Sequence, residues 1–176
     1  MTGVLSSLVA ASVFLAFLRA IRPRITICDG IARSEIREEE RGSHSIKVVN
    51  RSWFRLIDID VRLDLIRRHA SPPEGHPLLT MTNVPLVSSH MFDLAPCRPL
   101  WRDQEAKYAV RFAIKGNLED YWPEDERVSR LQDFLLFRVA ATHSLSGFRR
   151  VVEKRFTRGA IRDGVFHFGK SCEIGK

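Results

Sequence analysis

The sequence predicts an all-β fold: an immunoglobulin-like β-sandwich of seven to eight strands, preceded by one N-terminal transmembrane helix. Two patterns indicate this. No charged side chain precedes Arg19, and after Pro23 apolar and polar residues alternate in short runs separated by Gly, Pro, Asn and Ser. With 176 residues, the chain is long enough for one domain of ordinary size. We therefore expect an anchor over residues 1–22 and a sandwich domain over residues 23–176.

The N-terminal segment is predicted to cross a membrane once. Eighteen helical residues span about 27 Å, close to the ~30 Å hydrocarbon core of a bilayer. The first charged residues, Arg19, Arg22 and Arg24, all follow the apolar run. A secretory signal would instead carry positive charge before that run.

The position of these arginines predicts the orientation. Positive residues tend to stay on the cytoplasmic side, so we expect a single-pass protein of the inner or plasma membrane with its N-terminus outside and its domain in the cytoplasm. Arg19, Arg22 and Arg24 would contact anionic lipid headgroups of the inner leaflet. Two alternatives stay open: a helix packed in a soluble core, and insertion with the domain outside.

The clearest strand is LIDIDVRLDLI at residues 56–66. Its alternation predicts a half-buried antiparallel strand, with residues 57, 59, 61, 63 and 65 on the apolar face. Asp58 and Asp60 lie on the other face, which we interpret as solvated rather than catalytic. Shorter strands are predicted from RITIC (24–28), SIKVVN (45–50), LLTMTNVPLV (78–87), YAVRFAIKG (108–116), FLLFRVAA (134–141), FRRVVEKRF (148–156) and GVFHFG (164–169).

Charge and cysteine content limit the partners and the compartment. The formal net charge of +7 favours polyanionic partners, either nucleic acid or an anionic membrane surface. Cys28, Cys97 and Cys172 are odd in number and widely spaced. This pattern predicts reduced thiols in a cytosolic protein rather than a disulfide framework.

The search for catalytic and cofactor motifs is negative. The sequence has no phosphate-binding loop, dinucleotide fingerprint, nucleophile elbow or zinc-binding spacing. We therefore predict no enzyme activity, no cofactor and no metal site. The segment HSLSG at residues 143–147 fits a hairpin turn closed by glycine. The alternative is an enzyme of unrecognised class that uses His143, Ser144 and a strand aspartate.

A basic segment follows this turn. Its cations lie within FRRVVEKRFTRGAIR (148–162), and nucleic-acid binding through Arg149–Arg162 is one interpretation. We favour proximity to anionic lipid over nucleic acid, because an anchored domain already faces a membrane, and we favour a plain solvated surface over both. A surface for a protein partner is also predicted here, formed by His143, Arg149, Arg150, Lys154, Arg155 and Arg158.

Two stretches resemble the cytoplasmic domain of inward-rectifier potassium channels. IKVVNRSWFRLIDIDVRLDLI (46–66) is similar to a strand, an Asn turn and a long alternating strand of that domain, and residues 134–169 are similar to its late hairpin. The arginines after the helix resemble its phosphoinositide-contacting junction. The chain has one apolar helix and no selectivity-filter sequence, so it builds no pore by itself.

The resemblance implies an immunoglobulin-like sandwich that tends to self-associate. We therefore expect a membrane-anchored, non-enzymatic binding module whose partner is an unidentified protein or a second copy of the chain.

Overall fold

The computed structural model describes residues 2–20, 22–34, 43–68, 79–97, 107–122 and 133–175. One helix is followed by a predominantly β domain, so the all-β prediction is confirmed. The elements are α1 (Thr2–Ala20), β1 (Ile25–Arg33), β2 (His44–Asn50), β3 (Leu56–Arg68), β4 (Leu79–Asn83), β5 (His90–Leu94), β6 (Ala109–Ala113), α2 (Leu118–Tyr121), β7 (Phe134–His143), β8 (Arg149–Phe156), β9 (Ile161–Asp163), β10 (Val165–Phe166) and β11 (Ile174–Gly175).

The strand count differs from the prediction. The described residues contain eleven strands rather than seven or eight, and eight of them have five residues or more. The three strands that lie outside the predicted ones are β5, with five residues, and β9 and β11, with three and two residues. Strands as short as β9 and β11 carry too few residues to show a period-two pattern in the sequence.

Two sheets enclose the main core. The order in the first is β6-β2-β1-β9, with β1 and β9 parallel. In the second sheet, β4 and β5 pair with different parts of β3. On its other side β3 pairs with β7, and β7 pairs with β8. The sheets meet where the rings of Phe112 on β6 and Phe137 on β7 lie 6.1 Å apart. Both residues belong to one buried apolar cluster drawn from both sheets, so a single core holds the sheets together.

A bulge in β3 changes the predicted alternation. The register with β7 shifts between Ile57 and Asp60, and Asp58 has a φ of +52°. As a result, Leu56 is buried together with Ile59, whereas Ile57 is half-buried. The prediction that Ile57 shares the core face is therefore wrong, because an extra residue in a strand reverses the faces beyond it. Val61, Leu63 and Leu65 are buried as predicted.

The C-terminal strap, which we define as residues 164–175, covers the other face of the first sheet. Its Phe166 packs in a second cluster with Cys28, Ala32 and Val49. A disulfide joins Cys28 to Cys172, across 144 residues of sequence. The prediction of reduced thiols is therefore wrong for this pair, while Cys97 is free. The separation of two cysteines in the sequence does not give their distance in the folded chain, so this pair could not be predicted from the sequence.

The predicted N-terminal helix forms as α1. Its residues 7–17 are exposed, including the apolar side chains of Leu8, Val13, Phe14 and Phe17. Within the residues that the structure describes, no helix combines the length and the apolar content that a membrane crossing requires.

Candidate functional site

The HSLSG segment is a hairpin turn, as predicted. It joins the antiparallel strands β7 and β8, and the amide of His143 donates to the carbonyl of Phe148 at 2.9 Å. The amide of Gly147 donates to the carbonyl of His143, also at 2.9 Å. Gly147 has a φ of +68°, a conformation that glycine adopts without steric cost.

His143 is fully buried at the base of this turn, which removes it from the predicted partner surface. Its Nδ1 accepts a hydrogen bond from the amide of Ser146 at 3.3 Å, and its ring contacts Phe54 edge-on. Burial lowers the pKa of the imidazole. The amide of Ser144 instead donates to the carbonyl of Arg55. The imidazole thus contacts Ser146 and not the predicted Ser144, an arrangement that stabilises the turn.

The basic residues on β8 and just after it contact different parts of their own domain. Arg150 donates to the carbonyl of Pro23 at 2.9 Å, and Lys154 donates to the carbonyl of Ile27 at 3.0 Å and pairs with Asp29. The guanidinium of Arg155 lies over the ring of Phe134, and that of Arg158 lies over Trp122. Because these cations already contact different parts of the domain, they do not form one open face. A nucleic acid or a protein would therefore have to compete with the existing contacts.

Arg149 belongs to a charged cluster on the second sheet. It pairs with Asp58 at 3.1 Å and with Asp60, which also contacts His90 Nδ1 at 2.9 Å. Hydrogen bonds from His90 and then Arg149 lower the pKa of Asp60. Ligand atoms of Asp58, Asp60 and His90 lie within 4.8 Å of one another, so these exposed residues could hold a metal ion. An ion would have to displace Arg149, whose charge already offsets the carboxylates.

A polar cleft lies at the edge of the first sheet, with a volume of about 230 Å³. The buried His44 lies in it, and its Nδ1 is 2.8 Å from the hydroxyl of Ser43. Burial and then the charge of Arg33 lower the pKa of His44. Arg33 is paired with Asp163 at 2.7 Å. The cleft therefore contains an imidazole whose charged form is disfavoured, beside an arginine that also pairs with Glu119 at 3.6 Å. Its lining consists of Arg33, His44, Leu118, Glu119, Trp122, Arg158, Ile161 and Asp163.

A second cavity, of about 240 Å³, lies where the domain begins after α1. We call it the junction cavity, and it is lined by Arg24, Arg51, Trp53, Cys97 and Lys170. Three of these side chains are cationic, and none of the described residues in the lining is acidic. Trp53 is 60% exposed at this site.

Hydrogen bonds to backbone carbonyls assemble the junction cavity from four parts of the chain. The amide of Arg51 donates to the carbonyl of Arg24 at 2.7 Å, which joins the start of β1 to the turn after β2. The guanidinium of Arg51 donates to the carbonyl of Lys170 at 3.1 Å, which joins that turn to the strap. The amide of Cys97 donates to the carbonyl of Asn50 at 3.1 Å.

The structure places the predicted lipid-contacting arginines as follows. Arg22 and Arg24 are exposed, and Arg24 lines the junction cavity. The side chain of Arg19 lies outside the described residues. Arg51 and Lys170 were missed, because they are distant from Arg24 in sequence and belong to no motif. Neither the models of known protein families nor the curated proteins match the sequence.

Proposed function

We propose that the chain is a membrane-anchored, non-enzymatic binding module whose junction cavity receives the phosphate headgroup of an anionic lipid. The observation that carries the proposal is the lining of this cavity: Arg24, Arg51 and Lys170 around one space, beside the exposed Trp53. Arginine and lysine are the side chains that bind phosphate oxygens. Trp is enriched where a membrane meets water.

The position of the cavity along the chain supports this role. Arg24 follows the last residue of α1, Ala20, by four residues. Four residues reach at most about 14 Å even when fully extended, so Arg24 stays close to the end of the helix. The exposed apolar surface of α1 is energetically favourable in lipid, and contact of this surface with the membrane would hold the cavity near the headgroups.

The Cys28–Cys172 disulfide supports an orientation with the domain on the oxidising side of the membrane. This is the orientation that the sequence left open as an alternative. The arginines after the helix favour the cytoplasmic side. We give priority to the disulfide, because it persists in an oxidising compartment, whereas the arginines only bias insertion. The lipid bound is then an anionic lipid of the leaflet that faces the domain.

The facing sheets support an immunoglobulin-like β-sandwich as the finer description of the fold. The resemblance to inward-rectifier channel domains supports self-association through the same domain. Several copies would then present their junction cavities to one patch of membrane, and each additional contact would raise the overall avidity.

The test measures the affinity of the cavity for a lipid headgroup. The full chain is placed in zwitterionic nanodiscs and titrated with a soluble short-chain phosphatidylglycerol, and tryptophan fluorescence is recorded. Near an anionic surface, each basic residue contributes about 1 kcal/mol. The double variant Arg24→Gln/Lys170→Gln should therefore bind about 30-fold more weakly, since 1.4 kcal/mol is a factor of ten.

The matched control is Lys115→Gln/Arg162→Gln, which removes the same net charge from exposed residues outside the cavity. Its affinity should stay within about twofold of the wild type at an ionic strength of about 0.1 M, where charges more than ~10 Å away are screened. Equal losses in the two variants, or no binding by the wild type, would refute the proposed site. Inorganic phosphate, titrated in parallel, should bind more weakly than the phospholipid, because it lacks the membrane contact of Trp53.

A further inference from the structure

The strap is attached to the first sheet by its own apolar side chains. Phe166 is buried against Cys28, Ala32 and Val49, and Ile174 packs on the same cluster. A Cβ atom added to Gly30 would lie 2.7 Å from Ile174 Cδ1, so the strap lies directly on β1 at this point. The strap is therefore a closely packed layer on the sheet.

A buried lysine binds the strap through its backbone. Lys47 on β2 is only 3% exposed, and its Nζ donates to the carbonyls of His167 and Ser171, both at 2.7 Å. Burial lowers the pKa of Lys47, and so do the nearby charges of Arg111 and Arg51. The strap carbonyls thus stabilise a cation whose charged neighbours repel it. Opening of the strap would remove this stabilisation.

The strap also supplies part of the junction cavity. It carries Lys170 two residues before Cys172, and Arg51 donates to the carbonyl of Lys170. The disulfide, Lys47 and Arg51 hold the strap on both sides of Lys170. Of the three, the disulfide is the only covalent contact.

We infer that formation of the Cys28–Cys172 disulfide completes the junction cavity, so that the chain gains its full affinity for an anionic headgroup when these thiols are oxidised. The inference rests on the proposed function. Oxidation fixes the strap beside Arg51 and thereby holds Lys170 next to Arg24. In the reduced chain, noncovalent contacts alone hold the strap, and Lys170 contributes less to binding.

The oxidation is a thiol–disulfide exchange with a disulfide-bearing oxidant. The Cys172 thiolate attacks one sulfur of the oxidant, which forms a mixed disulfide and releases the other oxidant sulfur as a thiolate. The Cys28 thiolate then attacks the Cys172 sulfur and displaces the second oxidant sulfur. Two electrons pass to the oxidant, which leaves as a dithiol after taking up the two protons lost by the cysteines. Cys172 is half-buried and Cys28 is buried, so Cys172 is the more accessible sulfur for the first step.

The experiment compares oxidised and reduced full chain in zwitterionic nanodiscs, titrated with short-chain phosphatidylglycerol. Reduction with dithiothreitol should weaken binding about fivefold, the contribution of one basic residue. Lys170→Gln should weaken binding by a similar factor in the oxidised chain and by less than about twofold in the reduced chain. Lys115→Gln should leave both affinities close to those of the wild type.

The outcomes separate this inference from the proposed function. Equal affinity before and after reduction would overturn the inference and leave the headgroup site intact. Absence of binding by the oxidised chain would overturn both. The variant Cys28→Ala/Cys172→Ala removes the disulfide without a reductant. If this variant does not fold, the affinities with and without the disulfide are still compared by reduction of the folded wild type, whose fold is followed by circular dichroism. Hydrogen exchange of residues 164–175 should increase on reduction, and unchanged protection would also contradict the inference.

Discussion

Replacement of Asn50 should destabilise the domain more than replacement of an exposed asparagine. The side chain is fully buried, and its Nδ2 donates to the carbonyls of Phe54, Leu94 and Ala95 at 3.0–3.1 Å. Its Oδ1 accepts from the amide of Ser52 at 2.8 Å. The amide shares two N–H groups among the three carbonyls, so Asn50→Ala loses three hydrogen bonds in all. At about 1 kcal/mol for each net hydrogen bond, this loss costs about 3 kcal/mol. This is a large part of the ~5–15 kcal/mol that stabilises a typical domain.

The assay is urea denaturation of the full chain in a non-ionic detergent, followed by circular dichroism. Asn50→Asp keeps the size of the side chain but faces three carbonyl oxygens with a carboxylate, so it should cost still more than Asn50→Ala. Asn83→Ala is the control, because this exposed asparagine should change the free energy of unfolding by less than about 0.5 kcal/mol. A loss below about 1 kcal/mol in Asn50→Ala would refute the assignment of these hydrogen bonds as stabilising.

Three further predictions follow from the buried histidines, the hairpin glycine and the disulfide. Folding lowers the pKa values of His44 and His143, so the unfolded chain binds more protons than the folded chain below about pH 6.5. The denaturation midpoint should therefore fall as the pH is lowered from about 7 to 5. A midpoint that does not change with pH would contradict this. Gly147→Ala should lower the free energy of unfolding by about 1 kcal/mol, because alanine would have to adopt a left-handed backbone conformation. Gly159→Ala, at a position without positive φ, should show no such penalty in the same assay. Reduction of Cys28–Cys172 should lower the free energy of unfolding by up to about 5 kcal/mol, since it opens a very long loop, and an unchanged denaturation midpoint would argue against the crosslink.

Local patterns predicted the strands, and their limits are visible in β3. The alternation from Ile59 to Leu65 identified the buried face correctly, because side chains of a regular strand alternate between faces. The bulge at Asp58 was not predicted, since no glycine or proline marks it in the sequence. Asp tolerates a positive φ better than most residues, which allows the bulge to form there.

The candidate site could be predicted only in part, because it joins distant segments. Arg24 was recognised by its position after an apolar helix. Arg51 and Lys170 approach it through the turn after β2 and through the strap, and no local pattern in the sequence specifies either contact. The basic run at residues 149–158 looked like one surface, but the side chains of a strand point to alternate faces and reach separate partners.

The most direct test of the account measures the contact between Trp53 and anionic headgroups. The full chain is placed in nanodiscs that contain an anionic phospholipid with a spin label on its headgroup, and the fluorescence of Trp53 is obtained by subtraction of a Trp53→Phe variant. We predict strong quenching of Trp53 that decreases at about 1 M salt, where the screening length falls to ~3 Å. Trp53 fluorescence that is no more quenched by the labelled anionic lipid than by a labelled zwitterionic lipid would contradict a headgroup site at the junction cavity.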